Sequence, residues 1–191
     1  MRIIAGKYRG RKVRTTVGEG YRPATSRVRE ALFSMLESRS VFSDELRVLD
    51  LFAGSGSLAF EALSRGATQA LLVETNPKAA ELILKTAADF ELAAGTLQVS
   101  AEPVQKLLAR PPALPYGLVF IDPPYAENTV PDVLKLLLKK KWLLPGAFVV
   151  AEVETKPRQG KPLDPMLFEQ ELELEADRAY GQTRILLWQV N

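Results

Sequence analysis

Val48-Leu49-Asp50-Leu51-Phe52-Ala53-Gly54-Ser55-Gly56-Ser57 is an apolar run, interrupted by a single acid, that ends on two closely spaced glycines. Five residues of this kind suit a buried strand, and the glycines let the chain reverse without a Cβ penalty. Ser57 to Arg65 then reads as a helix that stops at Gly66. Strand, glycine turn and helix in that order open a parallel α/β sheet.

The alternation continues along the chain. Ala70-Leu71-Leu72-Val73 is the next strand, and Asn76-Pro77 starts a helix as cap and first position, with Leu82, Ile83 and Phe90 on its apolar side. Leu97-Gln98-Val99 is a weaker strand and Val104 to Ala109 a short helix. A proline-rich loop, 110–116, leads into Leu118-Val119-Phe120-Ile121. Val130 to Trp142 is helical, and Phe148-Val149-Val150-Ala151 is a fifth strand that begins after Pro145-Gly146. Short apolar runs separated by helices predict a mostly parallel sheet covered on both faces. The tail differs: Glu169 to Glu175 and Thr183 to Val190, joined through Tyr180-Gly181, predict a C-terminal antiparallel hairpin. The Lys139-Lys140-Lys141 run suits a helix C-terminus.

At the other end, Ile3-Ile4-Ala5 and Lys12-Val13-Arg14 flank Gly6-Lys7-Tyr8-Arg9-Gly10, which predicts a small β-hairpin. Pro23 and Thr25-Ser26 open a helix with Val28, Leu32, Phe33 and Leu36 on one face. Residues 1–40 hold ten basic side chains against three acidic ones, a balance of +7, so a net charge of +2 for all 191 residues leaves −5 on the remainder. A basic leader on a mildly acidic body points to a phosphate-bearing partner.

With 47% apolar and 25% charged residues the chain has ordinary globular composition. It contains neither cysteine nor histidine, which excludes disulfides, thiolate or imidazole zinc sites and a Ser-His nucleophile. Carboxylates could still hold a hard cation, but no metal is expected. No apolar run is long enough for a membrane span and the N-terminal segment is polar, so a cytoplasmic protein is expected, without membrane partner.

Two stretches carry chemistry. Gly54-Ser55-Gly56-Ser57-Leu58-Ala59 fits the dinucleotide pattern G-x-G-x-x-G/A, and Glu74, twenty positions after Gly54, sits where a carboxylate can accept from ribose hydroxyls. A nicotinamide cofactor and S-adenosylmethionine both fit those features. Asp50 favours the latter, because a carboxylate beside the loop repels a pyrophosphate and attracts a sulfonium and an ammonium. So does Asp122-Pro123-Pro124-Tyr125, straight after a strand. Two prolines fix φ and remove two N–H donors, leaving acceptors with no ladder to join. An exocyclic amine fits there, its hydrogens on the carboxylate and a carbonyl, with the Tyr125 ring on the base. Strand tips of an open parallel sheet meet at the ligand crevice, so Asp50, Glu74 and Asp122 are expected to converge.

Val48 to Gly56 together with Phe120-Ile121-Asp122-Pro123-Pro124-Tyr125 resembles the Rossmann-like methyltransferases that modify exocyclic amines. Met1 to Lys12, Arg22-Pro23, the stretch Arg27 to Phe33 and Tyr180-Gly181-Gln182-Thr183 are similar to the bacterial 16S rRNA guanine-N2 methyltransferases of the RsmD type. The resemblance implies a class I methyltransferase with a seven-stranded sheet, S-adenosyl-L-methionine as cofactor and 16S rRNA or the small ribosomal subunit as partner. It implies a basic N-terminal extension over 1–40 and a methyltransferase domain over 41–191; a monomer is expected, although the sequence does not determine the oligomeric state. By position it places Asp50, Phe52, Gly54, Ser55, Gly56, Glu74, Thr75, Glu102 and Asp122 around the cofactor. Asp122 and the Pro123 carbonyl would hold the target amine, Tyr125 would stack on the guanine, and Arg9, Arg11, Lys12, Arg14, Arg22 and Arg27 would contact RNA. Two positions depart from the family: Ala101-Glu102-Pro103 replaces the usual Gly-Asp that binds the adenine amine, and Ser26 replaces Asp. An adenine-N6 methyltransferase shares the Asp-Pro-Pro-Tyr corner, although no long target-recognition insert is visible here. From other classes, a nicotinamide oxidoreductase explains the glycine loop alone, and a non-catalytic RNA-binding module the leader alone.

Overall fold

The computed structural model describes residues 1–15, 26–124, 129–157 and 162–191. These form two compact units, Met1–Glu102 and Pro103–Asn191. Their strands form the mostly parallel α/β arrangement with a C-terminal antiparallel hairpin that the sequence predicts. Among the described residues no helix is long and apolar enough to cross a membrane.

The first unit holds the leader, α1 (Ser26–Glu37), β1 (Arg47–Leu51), α2 (Ser57–Ser64), β2 (Gln69–Val73), α3 (Pro77–Asp89) and β3 (Leu97–Ser100). β2 pairs in parallel with β1 and with β3, Asp50 lying opposite Leu72 and Val73 opposite Ser100. Val48 to Leu51 are buried without alternation, as a strand covered on both faces requires. Asn76 caps α3, its Oδ1 accepting from the N–H groups of Lys78 at 3.0 Å and Ala79 at 3.3 Å, with Pro77 at the first helical position. Ile83 and Phe90 are buried as expected, Leu82 only half so; the fully buried polar residue on that face is Thr86.

The leader is drawn tightly onto this unit. Ile3, Tyr8 and Val13 are buried. The expected hairpin is present in reduced form: a lone antiparallel bridge joins Arg2 and Lys12, supported by Ile3 N–H to the Arg11 carbonyl at 3.0 Å and Val13 N–H to the Met1 carbonyl at 2.9 Å. α1 begins at Ser26 and buries Val28, Leu32, Phe33 and Leu36, while Pro23 and Thr25 lie outside the described residues.

The second unit contains α4 (Val104–Leu108), β4 (Tyr116–Ile121), α5 (Val130–Lys139), β5 (Leu143–Glu154), β6 (Leu172–Tyr180) and β7 (Thr183–Val190). β4 and β5 are parallel, and β7 is antiparallel to both β5 and β6. β5 starts earlier than the sequence suggests. Tyr116 pairs with Leu143 and Leu118 with Phe148, so Pro145-Gly146 forms an irregularity within the strand, Gly146 adopting φ 73°. α5 ends three residues short of Trp142. Lys141 turns to φ 58°, and the N–H groups of Lys141 and Trp142 close on the carbonyls of Leu138 and Leu137, a Schellman ending with lysine where glycine is usual. Asp177 and Arg184 form a bidentate pair across the hairpin, the guanidinium Nε to Oδ1 distance being 2.7 Å.

Candidate active site

Between β1 and α2 the backbone takes three left-handed conformations in five residues: Phe52 at φ 63°, Gly54 at 56° and Gly56 at 73°. Phenylalanine rarely adopts that region, at a cost of about 1–3 kcal/mol, and such strain concentrates at ligand sites. A Cβ on Gly56 would lie 2.6 Å from Cδ2 of Leu72 on β2, so only glycine lets the loop approach the sheet this closely.

Two carboxylates organise the loop. Glu74, half-buried at the tip of β2, accepts the Gly54 N–H on Oε2 and the Asn76 N–H on Oε1, both at 2.7 Å. It therefore fastens the glycine loop and the entry to α3 at once. A carboxylate offers about four acceptor positions, so acceptor capacity is left over.

Asp50 is 1% exposed, and its Oδ2 accepts the Ala59 N–H at 3.2 Å. Gly56 provides no side-chain cap for α2, and the acid on the neighbouring strand satisfies a first-turn donor instead. Burial pushes the Asp50 carboxyl up to about 7; the Ala59 N–H opposes the rise and the charge of Glu74 adds to it. A cationic ligand would draw this group back into its ionised form.

The other expected cofactor residues in this unit lie along the same strand tips. Ser55 is buried in the loop, Thr75 is exposed beside Glu74, and Glu102 is half-buried just beyond β3, accepting from the Ser100 hydroxyl at 3.3 Å. The Glu74 N–H joins the Ser100 carbonyl at 3.0 Å, holding the ends of β2 and β3 together.

In the second unit β4 delivers Ile121 into the core and then the corner: Asp122 is half-buried, Pro123 buried and Pro124 exposed. Tyr125 and Arg22 lie outside the described residues.

The expected RNA contacts Arg9, Arg11, Lys12, Arg14 and Arg27 are all exposed, and two of them also hold partners at the end of α3. The Arg11 guanidinium lies 5.4 Å from the Phe90 ring centre and 5.9 Å from that of Tyr8, and donates to the Phe90 carbonyl at 3.3 Å. Arg14 forms a two-pronged pair with Asp89, Nε to Oδ2 at 2.6 Å and Nη2 to Oδ1 at 3.1 Å.

Sequence reasoning missed Glu61. This α2 residue is fully buried, and its carboxylate accepts the N–H groups of Ile4 at 2.8 Å and Ala5 at 3.1 Å as well as Nε of Arg65 at 3.0 Å. One signal was available: it is the single charge in an otherwise apolar turn, Leu58 to Leu63.

A family model described as conserved hypothetical protein 95 matches residues 1–189. Ribosomal RNA small subunit methyltransferase D of Escherichia coli is 35% identical over 189 residues, which cover 99% of this chain and 89% of the relative. The protein of the same name from Haemophilus influenzae is 36% identical over 164 residues, 85% of this chain and 81% of the relative. The solved structure of yhhF from Escherichia coli aligns with a TM-score of 0.83 at 34% identity, covering 100% of this chain and 98% of that one.

Proposed function

The chain belongs to the family of the ribosomal RNA small subunit methyltransferase D, and on that premise we propose that it moves a methyl group from S-adenosyl-L-methionine to the exocyclic N2 amine of a guanine in 16S rRNA. Such a protein works in the cytoplasm, on the RNA or on the small ribosomal subunit.

The observation that carries the cofactor assignment is the Asp50–Ala59 hydrogen bond. A dinucleotide places its pyrophosphate on the N–H groups at a helix start following a glycine loop. In α2 one of those donors is already taken by a buried carboxylate, which repels an anion and suits a cation. The rest of the donor set agrees. Glu74 keeps acceptor positions for ribose hydroxyls, and Gly54 and Gly56 bring backbone close without side chains in the way. Glu102 stands in for the family's adenine-binding Asp with a longer reach. When bound, the cofactor would supply a methyl group on a positively charged sulfur, whose bond to that methyl would break to leave a neutral thioether.

The chain's own residues do the rest. A guanine N2 lone pair is delocalised into the ring and is a poor nucleophile. The Asp122 carboxylate and the Pro123 carbonyl accept the two amine hydrogens, which localises the lone pair and fixes its direction. Tyr125 stacks on the base and holds its plane. As the new bond forms, the amine becomes acidic and Asp122 takes up its proton. Little charge is created, so orientation supplies most of the rate, up to about 7–11 kcal/mol in favourable cases. The base must leave its stack at a cost of about a few kcal/mol, smallest in a loop, and the basic leader offsets that cost by holding phosphates.

Labelled S-adenosyl-L-methionine with small-subunit particles and with naked 16S rRNA, followed by mapping of the modified base, tests the proposal. Label on a guanine N2 supports it; label on adenine N6, or none on either substrate, overturns it. Calorimetry with S-adenosyl-L-methionine against NAD tests the cofactor assignment separately.

A further inference from the structure

The leader is a preformed turn whose backbone is fixed from below. Glu61 accepts from the N–H groups of Ile4 and Ala5. The Ser64 hydroxyl donates to the Ala5 carbonyl at 2.5 Å and accepts from the Tyr8 N–H at 2.9 Å, while the Ser64 carbonyl accepts from the Lys7 N–H at 2.7 Å. The turn then closes on itself through Arg9 N–H to the Gly6 carbonyl at 3.1 Å and Arg11 N–H to the Tyr8 carbonyl at 3.0 Å. Gly6 is the point of closest approach. At φ 79°, a Cβ there would sit 1.8 Å from the Ser64 carbonyl oxygen. Glu61 is itself held by Arg65, whose guanidinium lies 5.0 Å from the Phe33 ring centre and also pairs with Glu37.

The leader's cations therefore divide into two sets. Arg11, on Phe90 and Tyr8, and Arg14, on Asp89, fasten the turn to the end of α3. Lys7, whose Nζ lies 5.2 Å from the Tyr8 ring centre, Arg9 and Lys12 are exposed on the same turn and hold no hydrogen bond or ion pair to α3 among the described residues. We infer that Lys7, Arg9 and Lys12 form a rigid phosphate-contacting surface for the RNA substrate, and that Glu61 and Ser64 of α2 are positioning residues that hold it in place. The inference rests on the RNA-methyltransferase reading. A fixed backbone lowers the ordering cost of binding, so a docked turn holds phosphates more tightly than the same charges on a loose arm.

The test measures RNA affinity across a salt series, using small-subunit particles and naked 16S rRNA, for the wild-type protein, Gly6→Ala, Ser64→Ala, the triple variant Lys7→Ala/Arg9→Ala/Lys12→Ala, and the triple variant combined with Gly6→Ala. S-adenosyl-L-methionine affinity is measured alongside. The triple variant should lose about 0.7 in salt slope for each phosphate contact. Gly6→Ala should weaken RNA binding about tenfold with cofactor affinity within about twofold. Adding Gly6→Ala to the triple variant should cost little more, because the cations it misplaces are already gone. Should Gly6→Ala fail to fold, Ser64→Ala carries the same comparison without a backbone clash. Unchanged RNA affinity in Gly6→Ala and Ser64→Ala, or full additivity with the triple variant, overturns the inference while methyl transfer by the wild type leaves the parent reading standing. A wild-type protein that neither binds nor methylates the RNA overturns both.

Discussion

Glu74 accepts the backbone N–H of Gly54 at 2.7 Å, so a side chain at the end of the second strand sets the conformation of the loop after the first. With its other oxygen on the Asn76 N–H, the same carboxylate ties the loop to the start of α3.

Replacing Glu74 by Gln turns one acceptor into a donor that faces a backbone N–H. We expect S-adenosyl-L-methionine affinity to fall at least about tenfold, equivalent to about 1.4 kcal/mol, through loss of both the ribose acceptor and the loop restraint. Calorimetry on the purified variant reads this directly, and an unchanged Kd removes Glu74 from the cofactor site.

Asp50 predicts an unusual pH dependence. Its folded-state pKa lies above its ordinary value, so between roughly pH 4 and 7 the folded protein binds more protons than the unfolded chain. The contribution to stability is greatest below that window, falls as pH rises through it and is flat above it. A displacement to about 7 corresponds to at most about 4 kcal/mol. Denaturant unfolding at pH 5 and pH 8 should show the wild type losing stability between them, and Asp50→Asn losing distinctly less. Cofactor affinity should run the opposite way in the wild type, strengthening as Asp50 ionises.

Gly56→Ala tests the close approach of the loop to β2. Both Gly56 and Gly95 have positive φ, but a Cβ at Gly95 meets nothing within 4 Å, whereas at Gly56 it meets Leu72 at 2.6 Å. Gly95→Ala should cost about 1 kcal/mol for conformation alone, and Gly56→Ala about 1–3 kcal/mol more for overpacking. Equal unfolding midpoints for the two variants contradict this.

Starts of elements were more legible in the sequence than ends. Asn76-Pro77 announces α3 because a capping side chain and a fixed φ are chemical properties of those residues. Helix ends depend on one residue taking a left-handed conformation, which glycine advertises and other residues conceal. Gly66 was readable for that reason. Ser40, Glu91 and Lys141 take the same conformation beyond α1, α3 and α5, held by hydrogen bonds from the following residue, so the sequence runs α5 on to Trp142. Pro145-Gly146 misled in the other direction, since an irregularity inside a strand and a turn before it use the same residues.

The shape of the glycine loop was legible because its chemistry is local: Glu74 at one strand tip accepts from Gly54, and Asp50 on the neighbouring strand accepts from Ala59 in the helix the loop opens. The docking of the leader was not. Glu61 and its partners Ile4 and Ala5 are more than fifty residues apart, and a single acid in an apolar helix does not reveal which N–H groups will reach it.

The amine-holding role of Asp122 is tested most directly by single-turnover methyl transfer to small-subunit RNA by the wild-type protein and by Asp122→Ala, each saturated with S-adenosyl-L-methionine. The wild type should give a guanine N2 product, and the variant a rate lower by at least about a hundredfold with cofactor affinity nearly unchanged. Near-normal transfer by Asp122→Ala would contradict that role.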